Sequence, residues 1–395
     1  MAAPVFRQDL RDPGFVQDPY PAYARARALN DIVWWPEFGM QAATTHRAVT
    51  AILKDRRFGR EVPADQMEPP PAHLAPFYEI DSHSMLEAEP PRHTRLRGLV
   101  LRSFTSARVS ALAPAITELA NELIDAFPSA PFDLLEAFAQ PFPARVIARL
   151  LGVPETDAPQ LVAWSNAMVG MYQAHRTSDT EQSAVSAAEE FRAYLLDLFS
   201  RKRTRPGEDL LSDLIAAEGD KLTPDELISN TILLLNAGHE ATVHTFGNAV
   251  RLVIAWNNRS ATATPDSCTH LVEEVLRFDP PLHIFTRYAY EDVTLFDQPI
   301  AKGSRIACLL ASANRDITVW ADADVFAPER PSQTNTSFGA GLHFCVGAPL
   351  ARLELRIGLQ TLFCRWPDLA LQTQPQYADI YHFHGLEQLI VKRQS

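Results

Sequence analysis

Between Thr223 and Trp256 the chain carries one helical pattern long enough to dictate the architecture around it. Thr223-Pro224-Asp225-Glu226 reads as a capping box with proline in the first turn. The threonine hydroxyl can accept from the Glu226 N–H while the glutamate carboxylate returns to the threonine N–H. From there the pattern runs to about Trp256, roughly 50 Å of helix at about 1.5 Å per residue. A helix of that length in one domain has to cross the core. Its centre, Ala237-Gly238-His239-Glu240-Ala241-Thr242, is made of small residues around an acid. Gly238 weakens a helix interior by about 1 kcal/mol, so a physical reason is required. Either a ligand lies close to the backbone there, or the helix is simply kinked.

The remaining sequence is consistent with one unit over residues 1–395, mostly helical with minor sheet. Helical periodicity dominates from about Pro19 to Trp256, and shorter alternating segments cluster near each end. With 46% hydrophobic residues in 395 the chain can bury a large core, and no Pro/Gly/Ser linker or internal repeat divides it. The opening stretch holds Arg7, Asp9, Arg11 and Asp12 and no apolar run, which speaks against a secretory leader or membrane anchor. Cys268, Cys308, Cys345 and Cys364 lack paired spacing, which suggests a reducing, cytoplasmic compartment. A formal charge of -12 argues against nucleic acid as a partner. Charge is uneven, however: Pro90 to Thr117 contains no carboxylate, while Arg92, Arg95, Arg97, Arg102 and Arg108 all fall there. That stretch is either a solvated basic face or a patch for anions and acidic partners.

The segment Phe338-Gly339-Ala340-Gly341-Leu342-His343-Phe344-Cys345-Val346-Gly347 carries the chemistry. Its glycines allow positive φ in a tight turn and close approach to a flat ligand. Immediately after Cys345 a helix begins, with Pro349 in its first turn and Leu350, Leu353, Ile357 and Leu362 on one face. A cysteine at such a junction lies where N–H groups and the helix dipole favour a thiolate, the form an axial iron ligand requires. A buried structural cysteine is the usual reading of a lone Cys. A nucleophile served by His343 is poorly supported at a two-residue spacing, and zinc lacks its set of about four ligands.

All fixed positions of the ten-residue segment resemble the heme-binding signature of the cytochrome P-450 family, Phe-Gly-x-Gly-x-His-x-Cys-x-Gly. The resemblance makes Cys345 the proximal ligand of heme b (iron protoporphyrin IX), with Phe338 and Gly339 in the binding loop. It extends along the chain from Asp18-Pro19-Tyr20-Pro21 to Phe383-His384-Gly385-Leu386. His93 and Arg97, four apart in a His-Thr-Arg-Leu-Arg match, together with Arg287 and His343, correspond to propionate-binding positions. As a helix-face pair of cationic donors, His93 and Arg97 also suit carboxylates on physical grounds. Glu274 and Arg277 resemble the family's buried Glu-x-x-Arg pair, and Asn314-Arg315-Asp316 and Phe326 to Arg330 its structural approach to the cysteine loop. Ala237 to Thr242 resembles the oxygen-activation motif, with Gly238 near the macrocycle, Glu240 at the acid position and Thr242 at the second threonine. Ala241 replaces the first threonine, whose hydroxyl normally steers protons to bound dioxygen. Substrate or water then supplies that hydrogen bond, or Thr242 takes the part. The first is preferred, because adjacent helix residues point about 100° apart.

The implied fold is mainly α with minor β, a triangular prism around a long central helix. The implied activity is insertion of one oxygen atom into a hydrophobic small-molecule substrate, with electrons from a ferredoxin-type donor. A peroxide-driven peroxygenase and a non-catalytic heme sensor remain as alternatives. By the same resemblance the pocket draws on residues from about Arg60 to Glu89, including Phe77 and Met85. Met168 to Tyr172, Leu234, Ile284, Phe285 and Leu386 are further candidate walls. Of the basic stretch, Arg92, Arg95 and Arg102 are expected to face outward and dock the ferredoxin.

Overall fold

In the computed structural model, which describes residues 3–102, 104–172, 176–331, 333–380 and 383–393, the capping box closes as the sequence implies. Glu226 N–H bonds the Thr223 hydroxyl at 3.2 Å, and Thr223 N–H bonds the Glu226 carboxylate at 3.0 Å. The helix it starts runs unbroken from Pro224 to Trp256 and ends where Asn257 adopts the left-handed conformation. Three features make this helix central. It buries most of its length, it packs against the Pro141–Leu151 helix, and it crosses the Ala348–Arg365 helix that follows the cysteine loop. Close approach is visible at Gly358, where a Cβ would lie 2.7 Å from the Phe246 ring.

The same kind of contact explains Gly238. A Cβ there would meet Ile147 of the neighbouring helix at 2.5 Å. The space on that side of Gly238 is filled by helix–helix packing, which is a reason for glycine here independent of any ligand. Nor does the helix break at that point.

The sheet is minor and two-sided. Five strands are ordered Ile32–Trp35, Met40–Ala43, Arg305–Leu309, Ile284–Ala289 and Phe58–Gly59, antiparallel except between Met40–Ala43 and Arg305–Leu309. Alternate residues serve opposite cores. Ile32, Ala43, Ile306 and Cys308 pack to one side, whereas Val33, Ala42, Ala307 and Leu309 pack to the other. Period-two patterning with both faces covered is why these short segments read as near-continuous apolar runs. The helical core lies around the long helix. The protein is therefore mainly α with minor β. Among the described residues no helix is long and apolar enough to cross a membrane.

Glu274 and Arg277 make the buried pair that their spacing implies. Two bonds of 2.7 Å join them on the Pro265–Phe278 helix, both side chains being under 5% exposed. Arg277 also reaches the carbonyls of Asn314 and Ala323, and Glu274 accepts from the Ala327 N–H. Asn314 accepts from Thr336 and donates to Ser337. These bonds tie the strand-to-cysteine segment to the helix and aim the Phe338–Gly347 loop.

Candidate functional site

The cysteine loop is shaped by its two glycines. Gly339 and Gly341 both have φ near +70°, and a Cβ on Gly341 would stand 2.3 Å from the Leu53 carbonyl oxygen. The Cys345 N–H bonds the Phe338 carbonyl at 3.0 Å, closing the turn. The Phe338 ring lies under the Arg352 guanidinium at 4.5 Å and 6.3 Å from Phe344. Burial pushes the Cys345 thiol up, while the N–H groups of Gly347 and Ala348, with Arg97 and Arg352, work to lower it. By surface area Cys345 is nonetheless exposed. A sulfur crowded by protein yet accessible faces an interior space rather than open solvent, and the loop presents it to that space with donors already aimed at it.

Around this sulfur the helix Arg92–Leu101 and the strand Ile284–Ala289 gather the expected cations. Arg97 donates to the Phe344 carbonyl at 2.6 Å, which brings it to the cysteine loop. The His93 and His343 rings lie 4.4 Å apart. Arg287 bonds the Thr286 carbonyl, and burial first, then Arg60, lowers its guanidinium to about 10. Among the described residues neither Arg97 nor Arg287 forms an ion pair with a carboxylate. A buried arginine against a second arginine is costly without anions. His93 Nδ1 is also buried without a partner among the described residues. Cations lacking anions and an orphaned donor fit the two propionates of a heme, and the glycine turn with its aimed N–H groups fits the axial thiolate.

Two details correct or extend the sequence reading. Among its protein neighbours His93 is held low: burial, followed by His343 and Arg97, lowers it to about 4, and propionate carboxylates at this ring would act in the opposite direction. Glu89 is a site residue that the sequence does not single out beyond bounding a loop. It stands 2.9 Å from His343 Nε2 and accepts the Arg60 N–H at 2.7 Å. Burial would raise its carboxyl, but these two bonds hold it below its ordinary range. Nothing in the local sequence pairs positions 89 and 343, so only folding reveals the contact. Glu354 also escaped notice. It is fully buried in the second turn of the cysteine helix, neither oxygen has a partner among the described residues, and burial drives its carboxyl well above the usual range. An acid inside an otherwise apolar helix face was its one visible signal.

On the long helix Glu240 is half-buried, and burial alone raises its carboxyl to about 8. It is a neutral acid at pH 7. Thr242 is 5% exposed, and the Ala241 carbonyl accepts from Thr245 at 2.7 Å. His239 is buried and bonds the Leu235 carbonyl at 2.8 Å, so it packs and does not act as a ligand. The candidate pocket residues Phe77, Met85, Met168, Leu234 and Leu386 are all buried, and Phe77 lies 6.2 Å from the Tyr172 ring.

The basic stretch differs from expectation. Arg95 pairs with Glu226 at 2.6 Å, Arg92 with Glu61 at 3.6 Å, and Arg108 with Asp213. Folding has brought carboxylates from elsewhere onto a segment that has none. Arg92 and Arg95 are thereby neutralised, and of the three expected docking residues only Arg102 is exposed without an ion pair among the described residues. A depression of about 220 Å³ opens between Val109, Thr269, Glu273, Arg352 and Arg356.

A mostly helical chain with a cysteine aimed in this way, beside two arginines that have no ion-pair partner among the described residues, has the build of a heme-thiolate protein. The cytochrome P450 family model matches residues 268–386. The cytochrome P450 monooxygenase PikC of Streptomyces venezuelae is 37% identical, over 91% of this chain and 87% of that one. The vitamin D(3) 25-hydroxylase of Pseudonocardia autotrophica is 37% identical, over 92% and 90%. The structure of P450BioI in complex with hexadec-9Z-enoic acid ligated acyl carrier protein matches with a TM-score of 0.90 and 31% identity, over 96% and 100%. The chain belongs to the cytochrome P450 family. It is an oxygen-incorporating monooxygenase of the bacterial type, and its cofactor is heme b.

Proposed function

We propose that this protein hydroxylates or otherwise oxygenates a hydrophobic small molecule that itself completes the proton-delivery site at Ala241. The observation that carries this reading is Glu240, a carboxyl raised to about 8 beside a position with no hydroxyl. In the proposal residues 1–395 act as one heme-thiolate domain in the cytoplasm, with Cys345 as the iron ligand. His93, Arg97, Arg287 and His343 hold the propionates, and Phe338 and Gly339 shape the loop under the ring. Bound there, heme b supplies dioxygen binding and electron storage, and the thiolate donates electron density that favours O–O cleavage.

What this chain adds is a positioned proton. Glu240 is protonated at neutral pH and so can give a proton, which an ionised glutamate cannot. Ala241 offers nothing to orient it. A hydroxyl or held water on the substrate takes that role, and Thr242 is turned about 100° away. The buried apolar walls, Phe77, Met85, Met168, Leu234 and Leu386, suit an apolar body. Vitamin D(3) and hexadec-9Z-enoic acid, named for the two relatives, are apolar molecules of that kind.

Electrons come, in this reading, from an acidic ferredoxin and its reductase. Arg102, the depression beside Arg352 and Arg356, and the partly exposed Leu101 and Phe344 support docking on the Cys345 side.

The test is hydrogen peroxide released per reductant consumed. Wild type should couple well with hydroxyl-bearing ligands and leak with ligands that lack a polar group, and Ala241→Thr should restore coupling for the latter. Losing one positioned hydrogen bond can cost a few kcal/mol of transition-state stabilisation, so leakage should be large. Tight coupling with purely apolar ligands, unaffected by Glu240→Gln, would sink the substrate-assisted account. Turnover on peroxide alone would favour a peroxygenase, and no product under either condition a heme sensor.

A further inference from the structure

Fourteen buried side-chain nitrogens and oxygens lack a hydrogen-bond partner among the described residues. Six of them form one seam: His239 Nε2, His244 Nδ1, Asn248 Oδ1 and Arg251 Nε on the long helix, and His283 Nε2 and His384 Nε2. An unsatisfied buried polar atom costs roughly 1–3 kcal/mol, so a concentration of them calls for a function or for ordered water.

The seam has two defined ends. At the inner end stands Glu240, one helical turn from His244 and on the same face. His244 sits beneath the Phe383–Gly385 turn. Its ring is 4.9 Å from Phe383, and a Cβ on Gly385 would lie 1.9 Å from its Nδ1, so the imidazole occupies the space that glycine leaves. Burial first, then His239 and His384, lowers it to about 4. At the outer end Asp279 accepts from Tyr20 at 2.8 Å, His384 Nδ1 at 2.9 Å, Arg251 at 3.1 Å and Tyr377. The Arg251 side chain is 28% exposed, which opens this end to solvent. The His283 ring lies 4.5 Å from His384, and Asn248 donates to the His384 carbonyl at 2.9 Å.

Asp279, His283 and His384 place ligand atoms within 4.8 Å of one another, as a metal site would. However, four donors already occupy the Asp279 carboxylate. Arg251 touches it, and Arg315 acts on His283 while stacking 3.6 Å from the Tyr20 ring. Two guanidinium groups at this cluster oppose a divalent cation. A proton, passed on at once, fits better.

We propose that His384 and His244 form a proton relay that reloads Glu240 from solvent at the Asp279 cluster. A proton from bulk water reaches His384, whose Nδ1–H is held by Asp279. It passes from Nε2 to His244 over ordered water, and from His244 to the Glu240 carboxylate left when Glu240 has given up its own proton. Each hop moves one proton and no electrons, and ring tautomers reset by the next proton. His239, whose Nδ1 is tied to Leu235, and His283, beside Tyr23, flank the path and are not on it.

The relay rests on Glu240 being the proton source, and the experiment separates the two claims. In the resting holoprotein the C=O stretch of protonated Glu240, identified by its loss in Glu240→Gln, is followed by infrared after mixing into D2O. His244→Gln and His384→Gln should each slow its deuterium shift tenfold or more, with unchanged heme content and an unchanged thiolate Soret band under carbon monoxide. In turnover both should leak more peroxide with a larger solvent isotope effect. Exchange at the wild-type rate in both variants overturns the relay while leaving Glu240 in place. Should His384→Gln fail to fold, His244→Gln alone decides. Absence of the carboxyl band at pH 7 overturns the Glu240 reading and the relay with it, and one tightly bound zinc lost in His384→Gln would replace the relay with a metal site.

Discussion

At the scale of single residues, protonation is set by burial more than by residue type. Glu240 rises to about 8 because nothing offsets its desolvation, whereas Glu89 stays low because two bonds reach it. This has a consequence for stability. Glu240 binds its proton more tightly folded than unfolded, so the folded state takes up a proton between an ordinary glutamate pKa of about 4.3 and about 8. Its contribution is therefore greatest below that window, falls as pH rises through it, and levels off above. Glu240→Gln removes the dependence. The variant should unfold at nearly the wild-type urea midpoint near pH 4.5 and be more stable by on the order of 2–4 kcal/mol at pH 8. An equal difference at both pH values would show that Glu240 is ionised in the native protein.

At the scale of elements, the long helix illustrates how a local weakness serves packing. Replacing Gly238 by alanine improves helix propensity by about 1 kcal/mol. It also drives a methyl group to 2.5 Å from Ile147, and overpacking of that kind typically costs about 1–3 kcal/mol. Gly238→Ala should therefore be neutral to destabilising by roughly 2 kcal/mol, and Ile147→Ala, which removes the Cγ1 and Cδ1 atoms that the methyl group would meet, should cost less in the Gly238→Ala background than in the wild type. If the single variant is stabilised by the full propensity gain, the helices have room to part and Gly238 has another purpose. The Glu274–Arg277 pair works at the same level. Its spacing marks a helix face, but its burial depends on the carbonyls of Asn314 and Ala323 arriving from dozens of residues away.

At the scale of the whole molecule, the basic stretch shows that net charge along a sequence is not charge on a surface. Arg95 is spent on Glu226 and Arg92 on Glu61, while Arg102 stays exposed. Exposed charges act chiefly on encounter rate and are screened beyond about 8 Å at physiological salt. Arg102→Glu should slow reduction by an acidic ferredoxin several-fold at low salt and flatten the salt dependence, without moving the melting temperature. Arg95→Glu should instead lower the melting temperature, since it sets a like charge against the buried Glu226 cap, and leave the salt profile alone. Stopped-flow reduction across ionic strengths, with thermal melts, distinguishes these. Identical salt profiles for wild type and Arg102→Glu would remove this face from electron delivery.

Sequence alone determined what is written in consecutive residues. The capping box, the Pro224–Trp256 helix, the glycine turn before Cys345 and the helix after it depend on spacings of a few residues, where backbone geometry leaves little choice. The family resemblance, with its heme and its oxygen chemistry, was legible for the same reason. Tertiary structure decided everything that needs two distant segments to meet. It assigned Gly238 to Ile147, gave His343 the partner Glu89, cancelled Arg95 with Glu226, and set His244 under Gly385. It also decided protonation, because desolvation depends on what the whole fold packs around a group: Glu240, Glu354 and His93 have ordinary side chains and perturbed acidities only because the chain closes over them.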